Sequence, residues 1–340
     1  MTESVSAVQK TEPHAATQSR VSKHPHVDWI GYVYLLPALV ILTVFHILPA
    51  IYALWISTQG GRIRNFRFIG LDNYMSALSA PEFWGALQNT LFYVIGTVPV
   101  TLALGLVVAY LLFQKIRGRG IYRAVYFMPH VISAVASAIV WAWVFNPSGG
   151  VANRVIELFG LPDQKWLLES DGILKLIGAG MGLDVPMWAQ GPSLALVSVM
   201  IFAVWQSLGF DVIIFLAGLT NINPELYEAG RIDGANGWQL FRHITVPLLM
   251  PTTFLLLVIS IIGSFQAFNH IFTMNVAASQ PLGGPLGTTR TVSIYMFDQL
   301  YSQNRAGYAT SIAVILSLII FALTLVQFRF FERGGEEGSA

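Results

Sequence analysis

The sequence predicts an all-α membrane protein, a bundle of six membrane-spanning helices, and two features of its composition lead to this prediction. Hydrophobic residues make up 54% of the chain and charged residues only 11%, whereas an ordinary soluble domain has about 25% charged residues. Six apolar runs each exceed the roughly 20 residues that a helix needs to cross a bilayer. They lie near 30–56, 89–113, 124–145, 194–219, 248–272 and 307–328. No Lys, Arg or Glu occurs in them, and Asp211 is their only carboxylate.

Polar segments flank the transmembrane domain, which is predicted to cover 30–330. Residues 1–29 lack the apolar core of a signal peptide, so we expect a disordered tail, with a second short tail at 331–340. The segment 172–188 in the long third loop is apolar but too short and too glycine-rich to cross a bilayer. It is predicted to be an interfacial or re-entrant piece, with ordinary loop as the alternative.

The distribution of basic residues predicts which ends of the spans face the cytoplasm. The loop after the second span contains Lys115, Arg117, Arg119 and Arg123 and no acid, and such loops usually lie inside. An even number of spans then places both termini and the loop at 223–246 inside as well. Three arginines near 62–67 oppose this orientation, but the net acidic third loop supports it. The sequence therefore predicts a multi-pass protein with both termini in the cytoplasm.

Several kinds of chemistry have no motif in the chain. There is no cysteine, no GxxxxGK[ST] phosphate-binding loop and no HExxH pair, and the seven histidines are not spaced as metal ligands. The formal net charge of +1 gives no reason to expect nucleic-acid binding. These absences predict a non-catalytic protein that does not hydrolyse ATP by P-loop chemistry and has no metal site.

The most informative segment lies between the fourth and fifth spans, from Asn223 to Pro251. Asn223 is a good N-cap, Pro224 suits the first helical position, and Glu225 suits the first turn. Asp233-Gly234 is expected to end this helix, because glycine accepts backbone angles that other residues resist. A charged helix between two apolar runs predicts a surface that binds another protein.

A second short helix is predicted after this turn. It can start near Asn236, with Gln239 three residues later as the partner in a capping box. Trp238, Phe241 and Ile244 are expected to form one apolar side of it. Pro247 and Pro251 are expected to end the helix as the next apolar run begins.

This segment resembles the EAA loop of permease subunits in binding-protein-dependent ABC importers, of the maltose and glycerol-phosphate type. The family pattern appears here as EAG at 228–230 and DGA at 233–235, followed by Phe241, Ile244 and two prolines. Gly230 replaces the usual second Ala, which we expect to loosen the first helix. Further similar stretches lie at 68–93, 118–133, 141–147 and 205–229, so that the resemblance covers about 30–330.

The resemblance implies a function and a set of partners. The chain would be the transmembrane subunit of an ATP-driven importer for a sugar or sugar-like polar solute in a prokaryotic plasma membrane. Its partners would be a homologous second permease, two ATPase subunits that bind ATP and Mg, and an extracytoplasmic solute-binding protein. The loop at 223–246 would be the cytoplasmic coupling helix, held by an ATPase subunit. The residues implied in coupling are Glu228, Ala229, Asp233, Gly234, Ala235, Phe241 and Ile244.

Polar residues inside the fourth and fifth spans are candidates for the solute path. A charge at mid-bilayer costs about 2.5–3.5 kcal/mol on insertion scales, so Asp211 should face a wet cavity or a partner group. Hydrogen bonds between helices are the alternative role for the other polar residues. The candidate path residues are Trp205, Gln206, Gly209, Asp211, Ser260, Ser264, Gln266 and Asn269.

An ion-coupled secondary transporter is the rival function. Such a protein needs ionisable groups inside its spans, and only Asp211 and His46 are clear candidates here. The resemblance leaves the solute open among maltose-like oligosaccharides, trehalose, glycerol phosphates and glucosylated osmolytes.

Overall fold

The protein is described here by a computed structural model that covers residues 29–62, 65–114 and 117–337. The predicted N-terminal tail lies outside these ranges except for Trp29, where the first helix begins. Two short helices, α1 (Trp29–Leu42) and α2 (Leu48–Ser57), are joined by a π-helical turn at Thr43–Ile47. The apolar stretch Tyr32–Ser57 is long enough to cross a membrane.

A small antiparallel hairpin follows, made of β1 (Gln59–Gly60) and β2 (Arg67–Phe68). Helix α3 covers Asp72–Ser79, and the side chain of Asn73 donates hydrogen bonds of 2.8 Å to the carbonyl oxygens of Ser57 and Gln59. These bonds tie α3 to the chain before it.

Helix α4 (Pro81–Phe113) is the second membrane-crossing helix and starts eight residues before the predicted boundary at 89. Pro81 occupies its first turn, where a missing amide hydrogen costs nothing. The apolar pattern missed this start because residues 81–88 include Glu82, Gln88 and other polar or small side chains.

The third predicted span, 124–145, is two helices in the structure rather than one. Helix α5 (Arg119–Val131) and helix α6 (Ala134–Val144) meet at an angle of 96°. Ile132 and Ser133 between them have extended backbone angles. Pro129 lies near the end of α5 and has no amide hydrogen for the helical hydrogen bond, which weakens the last turn.

The long loop after α6 contains two short helices, α7 (Val151–Glu157) and α8 (Ile173–Gly180). The predicted interfacial segment 172–188 therefore contains a two-turn helix and not a span. An isolated antiparallel bridge pairs Gly172, just before α8, with Ser193 at the end of the loop. Ser193 also caps α9 (Leu194–Thr220), because its hydroxyl accepts a hydrogen bond from the amide of Leu196.

Three short helical pieces and one long helix follow α9. They are α10 (Pro224–Ile232), α11 (Gly237–Leu240), α12 (Val246–Leu248) and α13 (Met250–Phe265), with a π-helical turn at Phe241–Thr245 between α11 and α12. The helical path continues past Pro247 and breaks at Leu249 with a bend of 62°. The expectation that Pro247 ends this helix was wrong. Pro247 lies in the first turn of α12, where the lack of an amide hydrogen breaks no hydrogen bond within that helix.

The fifth predicted span, 248–272, is also interrupted. Helix α13 ends at Phe265, and α14 (Asn269–Ala277) starts after a break whose last residue, Phe268, has φ −140° and ψ −62°. Helix α15 covers Val292–Tyr301, and α16 (Ala306–Glu337) runs well into the predicted C-terminal tail. In the described ranges, four helical stretches long and apolar enough to cross a membrane and two bent pairs correspond to the six predicted apolar runs.

The core forms where α4 and α9 pack side by side. A methyl group added to Gly105 of α4 would lie 2.9 Å from Cβ of Asp211 on α9, so the two backbones approach closely there. Buried Phe215 and Leu219 of α9 contribute to the same apolar cluster as Val98 and Leu112 of α4. This close contact determines how the polar side chains of the two helices face each other.

Candidate functional site

A cavity of about 530 Å³ lies between α4, the α5–α6 bend, α9 and α13. Each helix contributes side chains from one face, as residues three or four apart share a face. Its walls combine apolar groups with hydroxyl, amide, imidazole and carboxyl groups. The polar lining residues are Tyr93, Thr97, Thr101, His130, Gln206, Ser207, Asp211, Ser260, Ser264 and His270.

Four of the predicted path residues line this cavity together: Gln206, Asp211, Ser260 and Ser264. They come from α9 and α13, which are separated by the whole 223–249 segment in the sequence. Asp211 is only 2% exposed, and its Oδ2 atom has no hydrogen-bond partner within the described part of the chain.

The other four predicted path residues lie elsewhere. Trp205 packs in an aromatic cluster, with its ring centroid 5.3 Å from that of Trp141. Gly209 faces α5, since an added methyl group would meet the carbonyl oxygen of Tyr126 and lie 2.8 Å from Cα of Phe127. Gln266 lines a separate cavity of about 490 Å³ between the α13–α14 break, α15 and α16, and Asn269 is exposed at the start of α14.

Sequence reasoning missed the contribution of α4 to the cavity. Tyr93, Thr97 and Thr101 recur at every fourth position on one face of this apolar helix. That polar periodicity was visible in the sequence. His130 could not be found in this way, because it lies beside a helix break that brings it to the cavity.

The segment 223–246 forms a second site, at the end of the molecule where α4 finishes. The Phe241 ring lies 4.8 Å from the Tyr110 ring near the C-terminus of α4, measured between centroids. The hydroxyl groups of Tyr227 and Thr245 are 3.0 Å apart and join α10 to the π-helical turn. These contacts place the segment beside the C-terminal end of α4.

The local prediction for α10 is confirmed. Asn223 caps the helix by accepting a hydrogen bond of 3.0 Å from the amide of Glu225, and Pro224 takes the first position. The helix ends at Ile232, followed by Gly234 with φ +80°. The amides of Gly234 and Ala235 donate to the carbonyl oxygens of Arg231 and Gly230, which is the Schellman arrangement of a helix end.

The capping box at Asn236 and Gln239 is also confirmed, with hydrogen bonds of 2.7 and 3.0 Å in the two directions. Gly230 packs against the second helix: a methyl group there would lie 2.7 Å from Leu240 and 3.1 Å from Ile244. The departure from the family's alanine therefore lets α10 approach α11 closely, rather than loosening α10.

The predicted coupling residues divide into two groups by exposure. Phe241 and Ile244, which belong to the π-helical turn, are half-buried, and Ala235 is half-buried in the connecting turn. Glu228, Ala229, Asp233 and Gly234 are exposed. Next to them, Ile232 and Trp238 expose 86% and 66% of their surface. An exposed surface of this mixed character, on a rigid pair of capped helices, suits contact with a protein partner.

Comparison with known proteins agrees with this architecture. The family described as binding-protein-dependent transport system inner membrane component matches residues 101–334. A probable ABC transporter permease of Pyrococcus horikoshii is 32% identical over 317 residues, covering 93% of this chain and 99% of the relative. The lactose transport system permease of Rhizobium radiobacter is 30% identical, covering 92% of this chain and 97% of the relative.

Two further matches extend the comparison. The trehalose/maltose transport system permease of Thermococcus litoralis is 30% identical over 302 residues, 88% of this chain and 92% of the relative. The permease in a crystal structure of a bacterial alginate importer shares the fold, with a TM-score of 0.71, 23% identity, and coverage of 90% of this chain and 96% of the other. The chain therefore belongs to the family of binding-protein-dependent transport system inner membrane components, as the membrane-spanning, non-catalytic permease subunit of an ATP-driven importer.

Proposed function

We propose that this permease imports a sugar or sugar-like polar solute through the cavity between α4, α9 and α13. The observation that carries the proposal is the set of hydroxyl, amide and carboxyl groups that converge on a cavity inside an otherwise apolar bundle. Relatives about 30% identical over nearly their whole length are named for lactose and for trehalose and maltose. The path residues proposed are Gln206, Asp211, Ser260 and Ser264. Trp205 and Gly209 are proposed to support the path through packing, Gln266 from the neighbouring cavity, and Asn269 from its exposed position at the start of α14.

The 223–246 segment is proposed to couple this path to ATP hydrolysis in the cytoplasm. Two ATPase subunits would bind ATP and Mg, and one of them would hold the exposed surface around Glu228, Ala229, Asp233 and Gly234. The half-buried Ala235, Phe241 and Ile244 would transmit its movement to the spans. Support comes from the Tyr110–Phe241 contact, which joins the segment to α4 of the cavity wall.

Transport then follows as alternating access. Closure of the ATPase subunits would move the coupling segment, this permease and a homologous second permease would rotate apart at the outer face, and the cavity would open to a solute-binding protein. The subunit transmits force and lines the path, and it makes and breaks no covalent bond.

The direct test is to purify the complete complex and measure which solute stimulates its ATPase activity in the presence of the binding protein. Lactose, maltose and trehalose should be tried beside amino acids as a matched negative set. We expect a sugar to stimulate hydrolysis and to be accumulated in proteoliposomes only with ATP. Stimulation by an amino acid alone, or uptake driven by an ion gradient without ATP, would contradict the proposal.

The orientation in the membrane gives a separate prediction. Because the chain contains no cysteine, single cysteines can report on each face without further changes. Gly237→Cys, at an open position in the coupling segment, should be protected from an impermeant thiol reagent in whole cells and react after lysis. Asp163→Cys, in the exposed loop after α7, should react in whole cells. Reaction of the Gly237→Cys variant from outside would overturn both the orientation and the coupling role.

A further inference from the structure

The cavity has an uneven charge composition. Asp211 is the only carboxylate among the residues that line it, and neither a lysine nor an arginine of the described chain lines it. The remaining polar groups are hydroxyls, one amide and two imidazoles. A solute in this cavity therefore meets one acidic group and neither the ammonium of a lysine nor the guanidinium of an arginine from the described chain.

The carboxyl group of Asp211 has an oxygen atom, Oδ2, that accepts no hydrogen bond from the described part of the chain. The Cβ atom of Asp211 lies against Gly105 of α4, the residue is 2% exposed, and its Oδ2 atom is buried. An unpaired carboxyl oxygen in such a place loses the hydrogen bonds that water would supply, at a considerable cost in free energy. A donor from a bound molecule would recover that cost.

Two threonine hydroxyls of α4 that line the cavity already donate their hydrogens within the helix. Thr101 donates its hydroxyl hydrogen to the carbonyl oxygen of Thr97 at 2.8 Å, and Thr97 donates to that of Tyr93 at 2.6 Å. A hydroxyl has one hydrogen to donate, so toward a solute these two threonine oxygens are left with the role of acceptors. The α4 side of the cavity therefore favours a solute that donates hydrogen bonds.

We propose that the cavity accepts uncharged polyhydroxylated solutes and excludes carboxylated and phosphorylated ones, with Asp211 as the residue that sets this preference. Sugar hydroxyls can donate hydrogen bonds to Asp211 and to the threonine oxygens. An ionised carboxylate or phosphate group on a solute has only acceptor atoms, and its negative charge is repelled by the Asp211 carboxylate. The inference rests on the proposed function, because it concerns the solute of the same path. Of the candidate solutes, uncharged sugars such as trehalose and maltose would be accepted, and glycerol phosphates and uronic acids would be excluded.

The test measures the sign of the potential inside the cavity, without any need to know the solute. Ser264→Cys places one thiol on the cavity wall, and Ser302→Cys places one on the exposed turn after α15 as a control. In the purified complete complex, each variant reacts with a trimethylammonium-ethyl and a sulfonato-ethyl methanethiosulfonate reagent. Labelling of this subunit is read after its separation on a gel, so cysteines in partner subunits do not interfere.

We expect the ratio of cationic to anionic reaction rates in the Ser264→Cys variant to exceed the ratio in the Ser302→Cys control by about tenfold or more, because one carboxylate attracts the first reagent and repels the second. Adding Asp211→Asn should bring the ratio at the cavity thiol close to the control ratio, and adding Asp211→Glu should preserve it. If the complex with Asp211→Asn does not assemble, Asp211→Ser is used instead to remove the negative charge.

Equal ratios at the two positions, or a ratio at the cavity thiol that neutralising Asp211 leaves unchanged, would overturn this inference. Neither result depends on sugar transport. Failure of every sugar to stimulate ATPase activity would instead contradict the proposed function and leave the measured potential as it is.

Discussion

Replacing Gly234 by valine is expected to leave the complex assembled in the membrane but to separate ATP hydrolysis from transport. Gly234 has φ +80° at the helix end between α10 and α11, a conformation that a β-branched residue strongly resists. No atom lies within 4 Å of the position that a Cβ would take, so the effect arises from the backbone and not from a clash. Strain of this kind is worth about 1–3 kcal/mol, enough to rearrange the turn that joins the two helices.

The measurement compares solute-stimulated ATPase activity with uptake by the same proteoliposomes. We expect uptake by Gly234→Val to fall by about tenfold or more, as about 1.4 kcal/mol corresponds to a factor of ten. Gly234→Asn is the matched control, since asparagine tolerates positive φ, and it should retain most of the uptake. Normal coupling in the valine variant would show that the shape of this turn is not needed.

A second large effect is expected from Gly209→Ala. In a helix interior, alanine normally stabilises by about 1 kcal/mol relative to glycine. At Gly209 the added methyl group would meet the carbonyl oxygen of Tyr126 and the Cα atom of Phe127, both backbone atoms of α5. Because backbone atoms cannot rotate away as a side chain can, α5 and α9 must separate. We expect a loss of stability of about 1–3 kcal/mol, the range found for overpacked cores.

The effect can be measured as a lower thermal midpoint of the purified complex and a smaller amount of subunit in the membrane. Gly85→Ala in α4 is the matched control, because its added methyl group meets no atom within 4 Å, and it should be neutral or stabilising. A Gly209→Ala complex as stable as the Gly85→Ala complex would contradict the close packing of α5 on α9.

The features that the sequence predicted well are those that depend on local chemistry. The caps at Asn223 and Asn236 and the turn at Gly234 each need only a few neighbouring residues, so their positions could be predicted to the residue. The existence of six apolar segments was equally visible. Hydropathy, however, is an average over a window and contains no direction. It therefore predicted one straight segment over 124–145, where the chain turns through 96°.

The candidate cavity was predicted only in part, for a related reason. Asp211, Ser260 and Ser264 stand out because polar groups are rare in apolar spans. Trp205 also stands out, yet it packs against Trp141, which lies far earlier in the chain and could not be paired with it from sequence. His130 and His270 reach the cavity only through helix breaks. Those breaks depend on tertiary contacts such as the approach of α5 to Gly209.

The 62° bend at Leu249 joins the end of the 223–246 segment to α13, so that a rotation at the bend would move the far end of α13. Leu249 is fully buried, so in the proposed coupling it would be the pivot between the coupling segment on one side and α13 on the other. From Met250 to Ser264, α13 is about 21 Å long, at about 1.5 Å per residue. A tilt of about 5° at the pivot would displace Ser264 by about 2 Å, roughly two-thirds of a hydrogen-bond length. Under the proposed coupling, a small displacement of the 223–246 segment would therefore be enough to make or break a contact between Ser264 and a solute in the cavity.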